Sequence, residues 1–306
     1  MKNKTLQFMK MRRYAQMLSS FLVIISIFSL ATNGLKLGLD FTGGTLVEVK
    51  YDQPVDLSHI RKTLDTSNFK NALVINYGSE EDILVRLPQS ATSTLGDEIL
   101  SVLKEKYSGD VELKRIEYVG PQIGEELREQ GGLGLLIALI SVMVYVTFRF
   151  QYKFSFGAVA ALIHDVIITL GLFSIFQWDF DLTVLAALLA VIGYSLNDTI
   201  VVSDRIRENF RIIRKMQPIE IINHSLTQTL GRTIITSATT LLVLFSLFIF
   251  GGEIIHGFAT ALIIGVVIGT YSSIFVAANI LLSLNLTKED LILPEKEGSD
   301  QDNFLI

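Results

Sequence analysis

The sequence predicts an α+β membrane protein, in which a six-helix transmembrane bundle carries a ferredoxin-like β-α-β-β-α-β domain inserted between helices 1 and 2. Three observations support this fold class. The chain has 306 residues and is 50% hydrophobic, which is typical of a protein that crosses a membrane several times. Six apolar segments have the length that a helix needs to cross the ~30 Å hydrocarbon layer. Residues 33–130, here called the exterior domain, are rich in charged side chains and contain no such segment.

Composition excludes several classes of function. The formal net charge of −5 gives no overall basic surface for nucleic acid. The absence of cysteine excludes disulfide bonds, thiolate metal ligands and cysteine nucleophiles. The exterior domain has one histidine, His59, and no metal-ligand cluster. We therefore expect no metal site, no cofactor and no enzymatic activity.

The amino end is basic and is followed by an apolar run. Residues 1–13 are expected to be cytoplasmic, and residues 14–32 form the first predicted span. A basic start and a short apolar core also fit a cleavable signal peptide, and this alternative stays open. We favour a retained span, because the apolar run is longer than many signal cores and because an even number of spans keeps both termini on one side.

Apolar alternation and turn residues predict six elements in the exterior domain. Strands are expected at 44–51, 71–77, 82–87 and 111–118, and helices at 56–67 and 92–107. This order matches the ferredoxin-like motif, an antiparallel sheet with both helices on one face. The glycines in the connections 38–44 and 119–124 are expected to act as hinges, so the role predicted for the domain is mechanical.

Charge distribution predicts the membrane topology. The remaining segments are spans at 131–148, 154–176, 182–202, 233–250 and 257–284, a cytoplasmic loop at 203–232 and a cytoplasmic tail at 285–306. Lysine and arginine are absent from the turns 177–181 and 251–256 but concentrated at the amino end, at 149–153 and at 205–215. The positive-inside rule therefore places both termini in the cytoplasm and the exterior domain outside.

The fourth predicted span contains an aspartate, Asp198. Counting about 1.5 Å per residue from Leu182 places it roughly 24 Å along the crossing, still inside the apolar layer. A carboxylate at that depth costs ~2.5–3.5 kcal/mol or more, so it is expected to face the protein interior, a cavity or a partner charge. The alternative is an aspartate that reaches the inner interface beside Asn197 and Thr199.

Arg232 begins the fifth predicted span, and a stripe of threonines follows on its helical face: Thr236, Thr239 and Thr240. Asp198 and Arg232 lie on consecutive spans joined by an inside loop, so we expect them at similar depth and facing each other. A guanidinium favours the carboxylate whereas desolvation favours the neutral acid, so movement of the arginine could switch the proton state. The alternative is an ordinary interfacial arginine.

Three residues are weaker candidates for a proton path: His164, Asp165 and Thr236. The first two lie near the middle of the third span, but adjacent residues on a helix point about 100° apart, so at most one shares a face with Asp198. A buried histidine bonded to a neighbouring helix is the alternative. In the turn before the last span, Glu253 and His256 are expected to be solvated.

Small residues recur every four positions in the last predicted span, at Gly257, Ala261, Gly265 and Gly269. Such a stripe lets two helix backbones approach closely, so it predicts a packing seam. The neighbouring helix could belong to this chain or to another one.

Four motifs carry a family resemblance. They are Gly38-Leu39-Asp40-Phe41-Thr42-Gly43-Gly44, Val119-Gly120-Pro121-Gln122-Ile123-Gly124, Ile192-Gly193-Tyr194-Ser195-Leu196-Asn197-Asp198-Thr199 with Asp204-Arg205-Ile206-Arg207-Glu208, and Leu230-Gly231-Arg232-Thr233 with Thr236-Ser237. In this order and with six spans, they resemble the SecF branch of the SecD/SecF family of protein-export membrane proteins. One departure is Ser203, where a phenylalanine is usual before Asp-Arg.

The resemblance implies both a fold and a function. It implies an RND-like half of a larger pseudo-symmetric bundle in the bacterial inner membrane, with SecD supplying the other half. It implies that proton flow through Asp198 and Arg232 moves the periplasmic domain and pulls emerging polypeptide outward. The partners implied are SecD, the SecYEG channel, a YajC-like accessory subunit, the translocating polypeptide and membrane lipid. A stand-alone RND-type exporter, disfavoured by the small exterior domain, and a structural assembly factor remain alternatives.

Overall fold

The computed structural model describes residues 5–67, 69, 72–87, 95–107, 109–150, 152–213 and 215–287. In chain order, the elements are a 3-10 turn (Phe8–Met11), α1 (Arg12–Thr32), β1 (Lys36–Leu37), α2 (Leu39–Thr42), β2 (Gly44–Tyr51), α3 (Leu57–Thr66), β3 (Leu73–Tyr77), β4 (Ser79–Leu87), α4 (Leu95–Lys106), β5 (Val111–Val119), α5 (Pro121–Arg149), α6 (Tyr152–Phe176), β6 (Asp179–Phe180), α7 (Leu182–Ile212), α8 (Pro218–Phe250), α9 (Glu253–Ser272), a π turn (Ser273–Ala277) and α10 (Ala278–Ser283). The starts of the predicted strand 71–77 and helix 92–107, and most of the tail 285–306, lie outside the described residues.

Six helical segments in the described part of the chain are long and apolar enough to cross a membrane. They are α1 with the turn before it, α5, α6, α7, α8, and α9 continued through α10. Several extend beyond the predicted spans. Much of the region predicted as a loop, 203–232, is helical, since α7 runs to Ile212 and α8 begins at Pro218. The early start of α8 has a local cause, because Gln217 and Glu220 form a capping box around a proline in the first turn.

The exterior domain is built on one antiparallel sheet with strand order β3-β4-β2-β5. Both α3 and α4 contribute to a single apolar core with this sheet, in which Leu64 and Ile99 meet the strand residues Val47, Val74 and Val85. The element order β-α-β-β-α-β is the one expected from the sequence. The ferredoxin-like classification stays a prediction.

The glycines between the exterior domain and the membrane helices are closely packed. A Cβ atom on Gly43 would lie 2.9 Å from Pro121 Cα, and one on Gly124 would lie 2.9 Å from the Gly43 amide nitrogen. Gly43 and Gly44 also have φ angles of +68° and +124°, which L side chains rarely adopt. These contacts indicate that the glycines permit close approach of two backbones, which differs from the hinge role expected from the sequence.

The stripe of small residues on α9 packs against α7 of the same chain. Gly257 faces Val184, Gly265 faces Val191 and Gly269 faces Ser195. The tightest of these contacts is at Gly265, where an added Cβ would lie 2.1 Å from Val191 Cγ2. The backbones of α7 and α9 can therefore approach this closely only because these α9 positions lack side chains.

We expect Gly265→Leu to lower the unfolding temperature of the purified chain, because its side chain would force α9 away from α7. Overpacking of this kind costs about 1–3 kcal/mol or more. The matched control is Gly134→Leu in α5, since a Cβ there meets no atom within 4 Å. A smaller substitution, Gly265→Ala, gives a second test. Adding Val191→Ala to this variant should partly restore its stability, because the second change removes the clashing methyl groups. Equal unfolding temperatures for Gly265→Leu and Gly134→Leu would contradict the proximity of the two helices.

Candidate functional site

Asp198 lies on the buried side of α7 and is 3% exposed. Its Oδ2 atom has no hydrogen-bond partner among the described residues. The same holds for two nearby hydroxyl groups, those of Thr199 on α7 and Thr233 on α8. A carboxylate that is removed from water without such partners is costly. Asp198 is thus an unsatisfied ionisable group inside the membrane part.

Arg232 lies on α8, the helix that follows α7 in the chain and packs against it. The two side chains form no direct salt bridge within 4.0 Å, and Arg232 is exposed on the outer side of α8. The expectation that the two groups face each other at similar depth therefore stays a prediction. In this arrangement, a small displacement of either helix changes the interaction between the two groups.

The threonine stripe after Arg232 does not extend the site inward. Thr236 Oγ1 donates to the Arg232 carbonyl oxygen over 3.0 Å, and Thr239 Oγ1 donates to the Ile235 carbonyl oxygen over 2.9 Å. The hydroxyl groups of Thr236 and Thr239 are thus satisfied by their own helix backbone. Thr236 is placed beside Arg232, and the structure gives it no contact with Asp198.

Both α7 and α8 carry exposed residues near the candidate site. Gly193 and Asn197 of α7 are exposed, and a Cβ atom on Gly193 or on Gly231 of α8 would meet no atom within 4 Å. An amide and a guanidinium at membrane depth are expensive when they face lipid.

Asp165 is the second carboxyl group in the membrane part, and its surroundings differ. It is fully buried, and its Oδ2 atom accepts hydrogen bonds from Ser195 Oγ of α7 at 2.5 Å and from Ser272 Oγ of α9 at 2.8 Å. The Oδ1 atom lies 2.9 Å from Nδ1 of its neighbour His164. Asp165 thereby joins α6, α7 and α9 through one carboxyl group. We call Asp165, His164, Ser195 and Ser272 the Asp165 network.

His164 extends the Asp165 network towards α1. Its ring is stacked on Tyr271, with 6.2 Å between ring centroids, and the Tyr271 hydroxyl donates to the Ala15 carbonyl oxygen over 2.8 Å. The Nε2 atom of His164 is buried without a partner in the described part of the chain. Both weaker candidates from the third span are thus buried in the bundle, and no hydrogen bond or ion pair joins either of them to Asp198 or Arg232.

The sequence-based reasoning did not single out three residues of this interior: Ser195, Ser272 and Tyr271. Ser195 precedes Asp198 by three residues, a spacing that places both on one face of α7 and could have indicated a shared polar side. Ser272 and Tyr271 lie beside the four-residue stripe of α9 and gave no comparable signal. Of the turn residues, His256 packs its ring 4.0 Å from that of Phe248 and is partly buried. The side chain of Glu253 lies outside the described residues.

No group of three or more histidine, aspartate or glutamate side chains in the described ranges is arranged to hold a metal ion. The chemistry available in the membrane part is therefore carried by carboxyl, hydroxyl, imidazole and guanidinium groups. Asp198 with Arg232 is the candidate site, since it combines burial, an unsatisfied carboxyl oxygen and a basic residue on the neighbouring helix.

Comparison with protein families gives two matches. The model for the C-terminal part of the protein export membrane proteins SecD/SecF matches residues 99–287, and the model for the SecD/SecF GG motif matches residues 28–55. The chain is 52% identical to the protein translocase subunit SecF of Vibrio alginolyticus, with 98% of this chain and 97% of the relative covered. It is 51% identical to the SecF subunit of Pseudomonas aeruginosa, with 97% of both covered, and 46% identical to that of Escherichia coli O157:H7, with 99% and 95% covered.

Solved structures show the same fold. The crystal structure of SecDF from Thermus thermophilus, described as a translocon-associated membrane protein, matches with a TM-score of 0.84 and 34% identity. The match covers 92% of this chain and 39% of that one, so the chain spans about two fifths of the SecDF polypeptide. SecDF in a super-membrane-facing form matches with a TM-score of 0.70. This likeness confirms the predicted RND-like fold with six membrane helices.

We expect Ser272→Ala to lower the unfolding temperature of the chain, because it removes one of the two hydroxyl donors to buried Asp165. Loss of a hydrogen bond to such a group costs about 1–3 kcal/mol. The matched control is Ser246→Ala in α8, whose hydroxyl bonds to the Leu242 carbonyl of its own helix on an exposed side. A double-mutant cycle with Asp165→Asn should show coupling between the two positions. Equal unfolding temperatures for the two alanine variants would contradict a stabilising role of the network.

Proposed function

Because the chain belongs to the SecD/SecF family of protein-export membrane proteins, we propose that it is an auxiliary subunit of the Sec machinery that, together with SecD, uses the proton-motive force to promote protein export across the inner membrane. The proton gradient is the energy source, and the role includes no cofactor and no enzymatic turnover by this chain. The exterior domain lies in the periplasm and acts mechanically on emerging polypeptide.

The observation that carries this proposal is the state of Asp198. Its carboxyl group is buried with one unsatisfied oxygen, and the neighbouring helix α8 carries Arg232, which forms no ion pair with it. A group of this kind gains or loses a proton when its distance to the cation changes. Conversely, proton binding changes the attraction between α7 and α8, so proton passage can be converted into helix movement.

SecD is the proposed partner for the exposed polar residues of α7 and α8. Exposed Asn197 and Arg232 require a protein surface instead of lipid, and the SecDF chain is more than twice as long as the part that this chain matches. SecD would supply the second half of the bundle and further polar groups for the proton path. The SecYEG channel and a YajC-like subunit complete the proposed set of protein partners.

A structural assembly factor is the competing function, and in that case Asp198 does no proton chemistry. It predicts that an isosteric amide at this position is tolerated. The unsatisfied Asp198 Oδ2 atom favours the proton-driven function, since a carboxyl group with only a structural role would be expected to have its partners in place, as Asp165 has.

We expect Asp198→Asn to abolish proton-driven stimulation of export while leaving expression and copurification with SecD intact, because the amide keeps the size but carries no titrating proton. The measurement is preprotein translocation into vesicles that contain the SecD complex, with and without a proton gradient. The matched control is Asp65→Asn, the same change at an exposed position of α3. Stimulation at the wild-type level in Asp198→Asn would exclude the proton-driven function.

The proposed topology is tested with single cysteines, because the chain has none of its own. We expect Lys106→Cys, exposed at the end of α4, to react with a membrane-impermeant maleimide in intact spheroplasts. Lys215→Cys, exposed between α7 and α8, should react only after the membrane is permeabilised. The opposite labelling pattern would reverse the assignment of the exterior domain to the periplasm.

A further inference from the structure

The amino end of α7 is held by two carboxyl groups from different parts of the chain. Asp181, directly before the helix, accepts a hydrogen bond from the Val184 amide at 2.9 Å and is the ordinary N-cap. Asp40 lies in α2, within the connection 38–44 that leads to the sheet of the exterior domain and is here called the loop, and its Oδ2 atom accepts from the Leu182 amide at 3.0 Å. Carboxylates are favoured at this end of a helix, because its first amide groups lack partners within the helix. Asp40 is therefore a long-range cap on the helix that carries Asp198.

The backbone just before Asp40 is bonded to the residues that precede α7. β1 pairs in parallel with β6, and the Gly38 amide donates to the Phe180 carbonyl oxygen over 2.8 Å. A Cβ atom on Gly38 would lie 2.9 Å from Asp181 Cβ, so the two segments are in close contact. A displacement of the start of α7 therefore acts directly on this loop.

The other side of the loop is fixed to the sheet of the exterior domain. Arg86 of β4 donates to the Thr42 hydroxyl, and its guanidinium also lies 3.4 Å from the Leu37 carbonyl oxygen. Gly44 begins β2 opposite Val119 of β5, and a Cβ on Gly44 would lie 2.5 Å from the Leu87 carbonyl oxygen. Strands β2, β4 and β5 thus all contact the loop that contains Asp40.

We propose that Asp40 is a positioning residue which transmits displacement of α7 to the exterior domain. The contacts form one path from Asp198 along α7 to Leu182, through Asp40 to the loop, and from the loop to the sheet. This inference rests on the proposed function, since it concerns the step that links proton passage to movement of the domain. Asp40 is assigned no part in proton transfer, because Leu182, the residue it caps, lies sixteen helix positions, or roughly 24 Å, from Asp198 along α7.

The test is an uncoupling experiment on the SecD complex in vesicles. Asp40→Ala removes the acceptor for the Leu182 amide, whereas Asp40→Asn keeps an acceptor oxygen and is a good capping residue. The matched control is Asp181→Ala, which removes a carboxylate cap from the same helix end but leaves the link to the exterior domain. Proton flux and preprotein translocation are measured in the same vesicles for the wild type, these three variants and Asp198→Asn.

We expect Asp40→Ala to keep proton flux within about twofold of the wild type and to lose at least about tenfold in gradient-driven stimulation of export. Asp40→Asn and Asp181→Ala should retain most of that stimulation. Wild-type stimulation in Asp40→Ala, a parallel loss of flux and export, or the same uncoupling in Asp181→Ala would each overturn the inference. Failure of the proposed function looks different, because wild-type and Asp198→Asn vesicles would then show equal flux and equal export.

Discussion

Close packing of α9 against α7 is the interaction on which the membrane part of this protein depends. Lipid gives no hydrophobic drive for association between apolar helices, so close van der Waals contact between backbones must supply the attraction. Gly265 and Gly269 permit that contact at Val191 and Ser195. The same stretch of α7 continues to Asp198, so the seam also sets the position of this carboxyl group relative to α8. The packing seam and the candidate site therefore both depend on α7.

The two carboxyl groups of the membrane part show how the surroundings divide roles between like residues. Asp165 has two serine donors and a histidine neighbour, and it lies where three helices meet. A group satisfied on all sides stabilises one arrangement and resists change. Asp198 is nearly as buried but lacks a partner for one oxygen, and it forms no ion pair with Arg232 on the neighbouring helix. Only at Asp198 is the free energy of the carboxyl group expected to depend strongly on the relative position of the helices.

Sequence patterns predicted the membrane helices and the elements of the exterior domain, because hydropathy and alternation report directly on burial. They also identified Asp198, since a lone charge in an apolar run is easily recognised. They did not predict that Ser272 reaches Asp165, or that Asp40 caps α7, because these contacts join residues far apart in the chain. The start of α8 inside the region 203–232 was missed for a local reason, because the polar residues Gln217 and Glu220 form a capping box that begins a helix.

α7 connects the parts of the molecule that the proposed function requires to act together. Its first turn is held by the loop of the exterior domain through Asp40, its middle contributes Ser195 to the Asp165 network, and its inner half carries Asp198. A flexible joint between domain and bundle would absorb helix movement before it reached the sheet. The close contacts at Gly38 and Gly43 argue against such a joint, since neither position has room for even a methyl group. In the proposed mechanism, a displacement of α7 that is too small to unpack α9 would still reach the exterior domain, because Asp40 binds the first turn of the helix.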